Sequence, residues 1–136
     1  MIHLTADTHI LVAIAPADFR QGIDGLAAVC RHKLIQNPRS GTVFVFINRN
    51  KTMVRALSYD GTGFWLMTKR LSKGKFTSWP SSSNNIEPFI AKQLRQLLSN
   101  NDLSWQKNDR FLGWNNKEVI TWFFILSDHN ARQIKL

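Results

Sequence analysis

Between Ser40 and Pro80 the chain repeats one pattern, a short apolar segment followed by a break rich in Asn, Gly, Ser and Lys. The segments run from Thr42 to Ile47, Met53 to Tyr59, Phe64 to Leu71 and Phe76 to Trp79. The breaks are Asn48 to Lys51, Asp60 to Gly63 and Ser72 to Lys75, all too short for the crossover that a parallel pair needs. Asn and Gly in these breaks tolerate the backbone of tight hairpins. The stretch therefore predicts an antiparallel β-meander, and its sequence constrains the rest of the chain to act as cover for a sheet.

The flanking segments supply that cover. Ile10 to Ile14 is a β-branched run stopped at Pro16, and it is expected to join the sheet. Asp18 has the chemistry of a helix cap, and Phe19, Ile23, Leu26, Ala27, Cys30 and Leu34 follow at helical spacing. Gly22 and Gly25 weaken this helix, and close approach of the sheet to its backbone would explain them. Ser81 to Asn85 reads as a flexible connection. Asn85 then reads as the cap of a second helix, with Glu87 and Pro88 in its first turn and Ile86, Phe89, Ile90, Leu94, Leu97 and Leu98 as its apolar stripe. Asn115 to Leu126 fits a helix by the spacing of Val119, Trp122, Phe123 and Leu126, and a strand by composition; helix is the expectation. So apolar a tail must be covered by the body or by a second copy, which makes a homodimer an expected partner state. The fold class predicted is α+β: an antiparallel sheet of about four to five strands with two main helices packed on it. Residues 1–105 form one domain in this reading and residues 106–136 a C-terminal extension.

Charge narrows the function. Eighteen Lys and Arg against nine Asp and Glu give +9, which favours nucleic acid or another acidic partner. Within the meander Arg49, Lys51, Arg55, Lys69, Arg70, Lys73 and Lys75 face a single acid, Asp60. Tyr59, Trp65 and Trp79 are interleaved with them, the mixture that contacts phosphates and stacks on bases. Arg49, Lys51, Arg55, Lys69, Arg70, Lys73, Lys75 and Trp79 are the candidate nucleic-acid-binding residues. Replacing Lys69, Arg70, Lys73 and Lys75 with glutamate is expected to abolish retention of nucleic acid without unfolding the domain.

Catalytic chemistry finds little support. Asp18, Asp24 and Asp60 could in principle hold two metals for phosphoryl transfer, as in a nuclease, but their spacing is not that of a ligand set. Asp18 reads as a cap, Asp24 as an i,i+4 partner of Arg20, and Asp60 as a turn residue before Gly61. His3, His9, His32 and His129 lack paired ligand spacing, no phosphate loop or nucleophile elbow is present, and Cys30 falls on an apolar stripe. No catalytic residue, metal or cofactor is predicted. No secretory leader or membrane span is recognised either, so a cytoplasmic protein is expected.

Several segments together resemble a known family. Asp18-Phe-Arg-Gln-Gly-Ile-Asp-Gly-Leu-Ala-Ala28, Asn37-Pro-Arg-Ser-Gly-Thr-Val-Phe-Val-Phe46, Tyr59-Asp-Gly-Thr-Gly-Phe-Trp-Leu66, Lys69-Arg-Leu-Ser-Lys-Gly-Lys-Phe76 and Trp79-Pro80 resemble the TnpB-type accessory protein of the insertion sequence sixty-six family of bacterial transposable elements. The resemblance covers roughly Met1 to Trp105; the residues after Trp105 do not match the pattern. It implies a non-enzymatic role in transposition beside a separate transposase. It also marks Asp18, Arg20, Asp24, Gly25, Asp60 and Gly61 as motif residues without assigning them a role. DNA and the transposase of the same element are the expected partners. The alternative is an adaptor that binds the transposase and makes no DNA contact.

Overall fold

The computed structural model describes residues 4–99 and, as backbone, residues 123–126 and 132–135. β1 (Ile10–Ala13), β2 (Val43–Ile47), β3 (Met53–Tyr59), β4 (Phe64–Arg70) and β5 (Ile86–Phe89) form a mixed sheet, extended by β6 (Phe123–Leu126) and β7 (Arg132–Lys135). The strand order is β5-β1-β2-β3-β4-β6-β7.

The hairpins β2–β3 and β3–β4 are antiparallel, as the short breaks between them require. The sheet as a whole is not a pure meander, because β1 pairs with β2 in parallel, Ile10 opposite Val43. The reason lies in what separates them: α1 (Gly22–His32) fills the connection and carries the chain back across the sheet. Phe76 to Trp79, expected as the fourth strand of the meander, forms no strand. Phe76 is nevertheless buried, so this segment contributes its ring to the core without a ladder. The second helix also begins later than its stripe suggested. Ile86–Phe89 is the edge strand β5, antiparallel to β1, and α2 covers Ala91–Ser99. Asn85 does not cap it; its side-chain amide donates instead to the Lys33 carbonyl oxygen at 3.3 Å. Pro88 fits this position because an edge strand leaves one row of amides outside the ladder. Phe123–Leu126 is a strand against β4, not a helix; residues 115–122 lie outside the described residues.

Strand alternation sends two sets of apolar side chains to opposite faces. On one face Leu11, Phe44, Phe46, Leu57, Phe64 and Leu66 pack with Ile23, Leu26, Ala27 and Cys30 of α1. On the other Ile10, Val12, Val43, Val45, Ala56 and Met67 pack with Leu94, Leu97 and Leu98 of α2 and with Phe76. β2 is apolar at every position because both of its faces are covered. Each fully buried phenylalanine among these, Phe44, Phe46 and Phe76, contributes about 2–3 kcal/mol by leaving water.

Asp18 caps as expected, but the turn it caps is a single 3-10 turn, Phe19–Gln21, that precedes α1. The glycines of α1 answer to this junction, not to the sheet. Gly22 joins the two helical segments at φ +69, and a Cβ on Gly25 would stand 2.1 Å from the Cβ of Gln21. At the other end of α1, Ile35 is held at φ 54 with 74% of its surface exposed. A β-branched side chain is strained there. Ile35→Gly is expected to raise stability by about 0.5–1 kcal/mol in urea unfolding, net of the entropy that glycine adds to the unfolded chain. A loss of stability would show that the isoleucine side chain makes contacts worth more than the strain.

Candidate nucleic-acid interface

The register places the end of β2, the start of β3 and the end of β4 side by side, with Ile47 opposite Val54 and Met53 opposite Arg70. The chain segments that leave these strands carry the exposed bases. Asn48 fixes the first of them: its Oδ1 accepts from the amides of Thr52 (2.9 Å) and Met53 (3.0 Å), and its Nδ2 donates to Thr52 Oγ1 at 3.0 Å. Arg49, Asn50 and Lys51 project from this cage into solvent. The second segment is tied to the first at both ends. The Leu71 amide donates to the Thr52 carbonyl at 3.0 Å and the Phe76 amide to the Lys51 carbonyl at 2.8 Å. Lys73 and Lys75 are exposed between these two bonds, beside the turn that carries Arg49 and Lys51. With Phe76 buried below, the loop is anchored by its own apolar residue.

A third segment reaches the same end. The Ala17 amide donates to the carbonyl of Ile47 at 2.9 Å, so the turn Phe19–Gln21 sits against the end of β2. Asp18 and Arg20 thereby join the group. Their ion pair, Nη2 to Oδ2 at 2.9 Å, replaces the Arg20–Asp24 pairing that helical spacing suggested. The Arg20 side-chain hydrogen bond, then its backbone amide, together with the charges of Arg20 and Arg49, hold the Asp18 carboxyl down at about 2. Arg20, Arg49, Lys51, Arg70, Lys73 and Lys75 are all exposed, and Asp18 is the acid among them. Sequence reasoning gives Arg20 as a motif residue and as the partner of Asp24; its place two residues after a capping Asp, just beyond the first strand, is the signal that points to this surface.

Three candidates are turned away from this surface. Lys69 is buried on β4, and its Nζ donates to the Leu98 carbonyl in the last turn of α2. Burial pushes its pKa down to about 8. Arg55 is half-buried: its Nη1 donates to the Phe19 carbonyl at 2.8 Å and its guanidinium lies 4.8 Å from the centre of the Phe19 ring. Among the described residues its Nε has no hydrogen-bond partner, and burial lowers its pKa. Arg55 thus secures the turn that presents Arg20. Trp79 is half-buried against the α2-side core, and its indole N–H donates to the Ala13 carbonyl at 3.0 Å, so its ring serves packing. The glutamate replacement set that contained Lys69 is corrected accordingly: it would disturb the fold as well as the surface.

Asp60 and Gly61 lie at the opposite end of the sheet, in the β3–β4 hairpin. Asp60 Oδ1 accepts from the amides of Thr62 (2.9 Å) and Gly63 (3.0 Å) and from Thr62 Oγ1, while Oδ2 accepts from Trp65 Nε1 at 2.7 Å. The Thr62 amide, followed by Trp65, holds this carboxyl well below the ordinary carboxylate range. Asp60 is therefore committed to the turn. Asp18 and Asp60 stand at opposite ends, and among the described residues no cluster of three His, Cys, Asp or Glu could hold a metal ion. Cys30 is fully buried and burial pushes its thiol up to about 12, the reverse of what a nucleophile needs. No helix among the described residues is long and apolar enough to cross a membrane.

Fold and surface together define a small mixed α+β protein with one strongly basic end. The sequence model of the IS66 Orf2-like protein family matches residues 8–109, and the chain belongs to this family of accessory proteins of IS66 transposable elements. It is 40% identical over 76 residues to the uncharacterized protein y4jC of Sinorhizobium fredii, a match spanning 56% of this chain and 65% of that one. It is 34% identical over 96 residues to the uncharacterized protein y4hO of the same organism, spanning 71% of this chain and 83% of that one. No solved structure matches the chain.

Proposed function

We propose that the protein is a non-enzymatic accessory factor in DNA transposition that binds nucleic acid through phosphate contacts at the basic end of its sheet and works beside a separate transposase. Family membership supports the setting. The observation that carries the binding is the tie between the Asn48–Thr52 turn and the Leu71–Phe76 loop, which holds Arg49, Lys51, Lys73 and Lys75 in one surface before any ligand arrives. Fixed cations lose less freedom on binding than loose ones. Lysine and arginine at turn tips contact phosphates without reading bases, so the contact itself is expected to be insensitive to sequence.

The test is binding of the purified protein to labelled single- and double-stranded DNA across a salt series. About five phosphate contacts predict a slope near −4.5 in log K against log salt on duplex, a loss of two to three orders of magnitude between roughly 50 and 200 mM. Absence of binding at low salt would overturn the reading and leave the adaptor role, in which the transposase is the partner and DNA is not touched.

A further inference from the structure

Arg20 has an engaged side chain at this end. Its Nε donates to Asp18 Oδ1 at 3.0 Å and to Oδ2 at 3.3 Å, and its Nη2 donates to Oδ2 at 2.9 Å. The Arg20 side chain is nevertheless 90% exposed, and that of Asp18 34%. The pair is local, with one residue between its members, and its backbone is set by three bonds: Arg20 amide to Asp18 Oδ1, Ala17 amide to Ile47, and Arg55 to Phe19. An exposed ion pair of this kind adds little to stability. Its effect falls instead on what the guanidinium can do. The fork of an arginine fits a carboxylate and a phosphate alike, so each excludes the other.

We propose that Asp18 is an internal competitor for phosphate: its carboxylate occupies the Arg20 fork, and binding at the basic end is weaker by one contact than the exposed bases would allow. This inference rests on the reading of that end as a phosphate-binding surface. The Ala17 amide bond to the Ile47 carbonyl at 2.9 Å brings the segment of Asp18 against the strand end that leads into the Arg49 turn. Asp18 also caps the turn through the Arg20 amide, and this part of its role must be kept when its charge is removed. Asparagine caps as well as aspartate does and carries no charge.

The experiment compares the wild type with D18N, D24N, R20Q and the double variant D18N/R20Q on labelled duplex DNA across the same salt series. Asp24 is exposed in the first turn of α1, so D24N removes an equal charge without releasing Arg20. D18N is expected to bind about two- to fivefold tighter than D24N at fixed salt, the size of effect an exposed ion pair can supply. Its salt slope should steepen by about 0.9, one added phosphate contact. With R20Q as its reference, D18N/R20Q should gain no more than D24N gains over the wild type, because the fork that D18N releases is then absent. D18N binding no tighter than D24N overturns the proposal, and so does a gain that survives in D18N/R20Q relative to R20Q, which would mean that the released fork does not hold the added phosphate. Should D18N fail to fold, D18S, which also caps, takes its place. Wild-type protein that shows no salt-dependent binding removes the underlying reading and this inference with it; wild-type binding with a silent D18N removes this inference alone.

Discussion

Lys69→Glu is expected to prevent the chain from holding its native fold. Lys69 is 9% exposed, and its ammonium group donates to the Leu98 carbonyl where α2 ends. Glutamate would set a carboxylate against that carbonyl oxygen, two acceptors with no proton between them. Uncompensated buried charges cost about 3–5 kcal/mol, a large part of the roughly 5–15 kcal/mol that holds a domain together. Circular dichroism and urea unfolding read the result; a Lys69→Glu protein with wild-type stability would mean that this side chain reaches water. Lys69→Met gives the complementary measurement. Burial lowers the Lys69 pKa from 10.5 to about 8, so between those values the unfolded chain holds the proton more tightly than the folded one. Stability therefore rises with pH across that window, and the penalty is fully present below about 8. The difference between wild type and Lys69→Met should shift in favour of the wild type by on the order of 2 kcal/mol from neutral pH to pH 10. Parallel pH curves would contradict this.

Reversing the exposed charges is expected to act oppositely, sparing the fold and removing the binding. In a variant with Arg49, Lys51, Arg70, Lys73 and Lys75 all changed to glutamate, every altered side chain is exposed. Single surface substitutions of this kind stay within about 0.5 kcal/mol. The surface, in contrast, passes from five cations to five anions. DNA affinity should fall by at least about a thousandfold at roughly 50 mM salt, because the phosphate contacts are lost and repulsion replaces them. Melting temperature is the control. A folded variant that keeps its affinity would contradict the proposed phosphate contacts at this end.

The sequence carried much of this, and its failures are instructive. Hairpins β2–β3 and β3–β4 and the stripe of α1 were legible because alternation and helical spacing are local signals. The parallel pairing of β1 with β2 was not, since it is set by how α1 crosses the sheet and no local residue encodes it. Asn85, Glu87 and Pro88 imitate the first turn of a helix, and pairing with β1 overrides that preference. Phe76 and Trp79 are apolar because they anchor a loop. The two bases that face inward share one cause: charge marks a residue type, while alternation along the strand decides which way its side chain points. Lys69 shares its side of β4 with Met67, and Arg55 its side of β3 with Leu57, both buried. Read by side alone, these two bases already pointed inward. Arg49, Lys51, Lys73 and Lys75 come from turns, where alternation stops, and Arg70 from the last position of β4.

Cys30 turns the cover of α1 into something that can be timed. It is the one cysteine of the chain, and the structure seals it between α1 and the sheet. A thiol reagent in solution can reach it only in molecules whose helix has lifted away, so the labelling rate counts those excursions. If the salt series shows DNA binding, added DNA that leaves the rate unchanged would mean that the bound ligand does not tighten the scaffold, and a slower rate that contact at the basic end is felt under the helix.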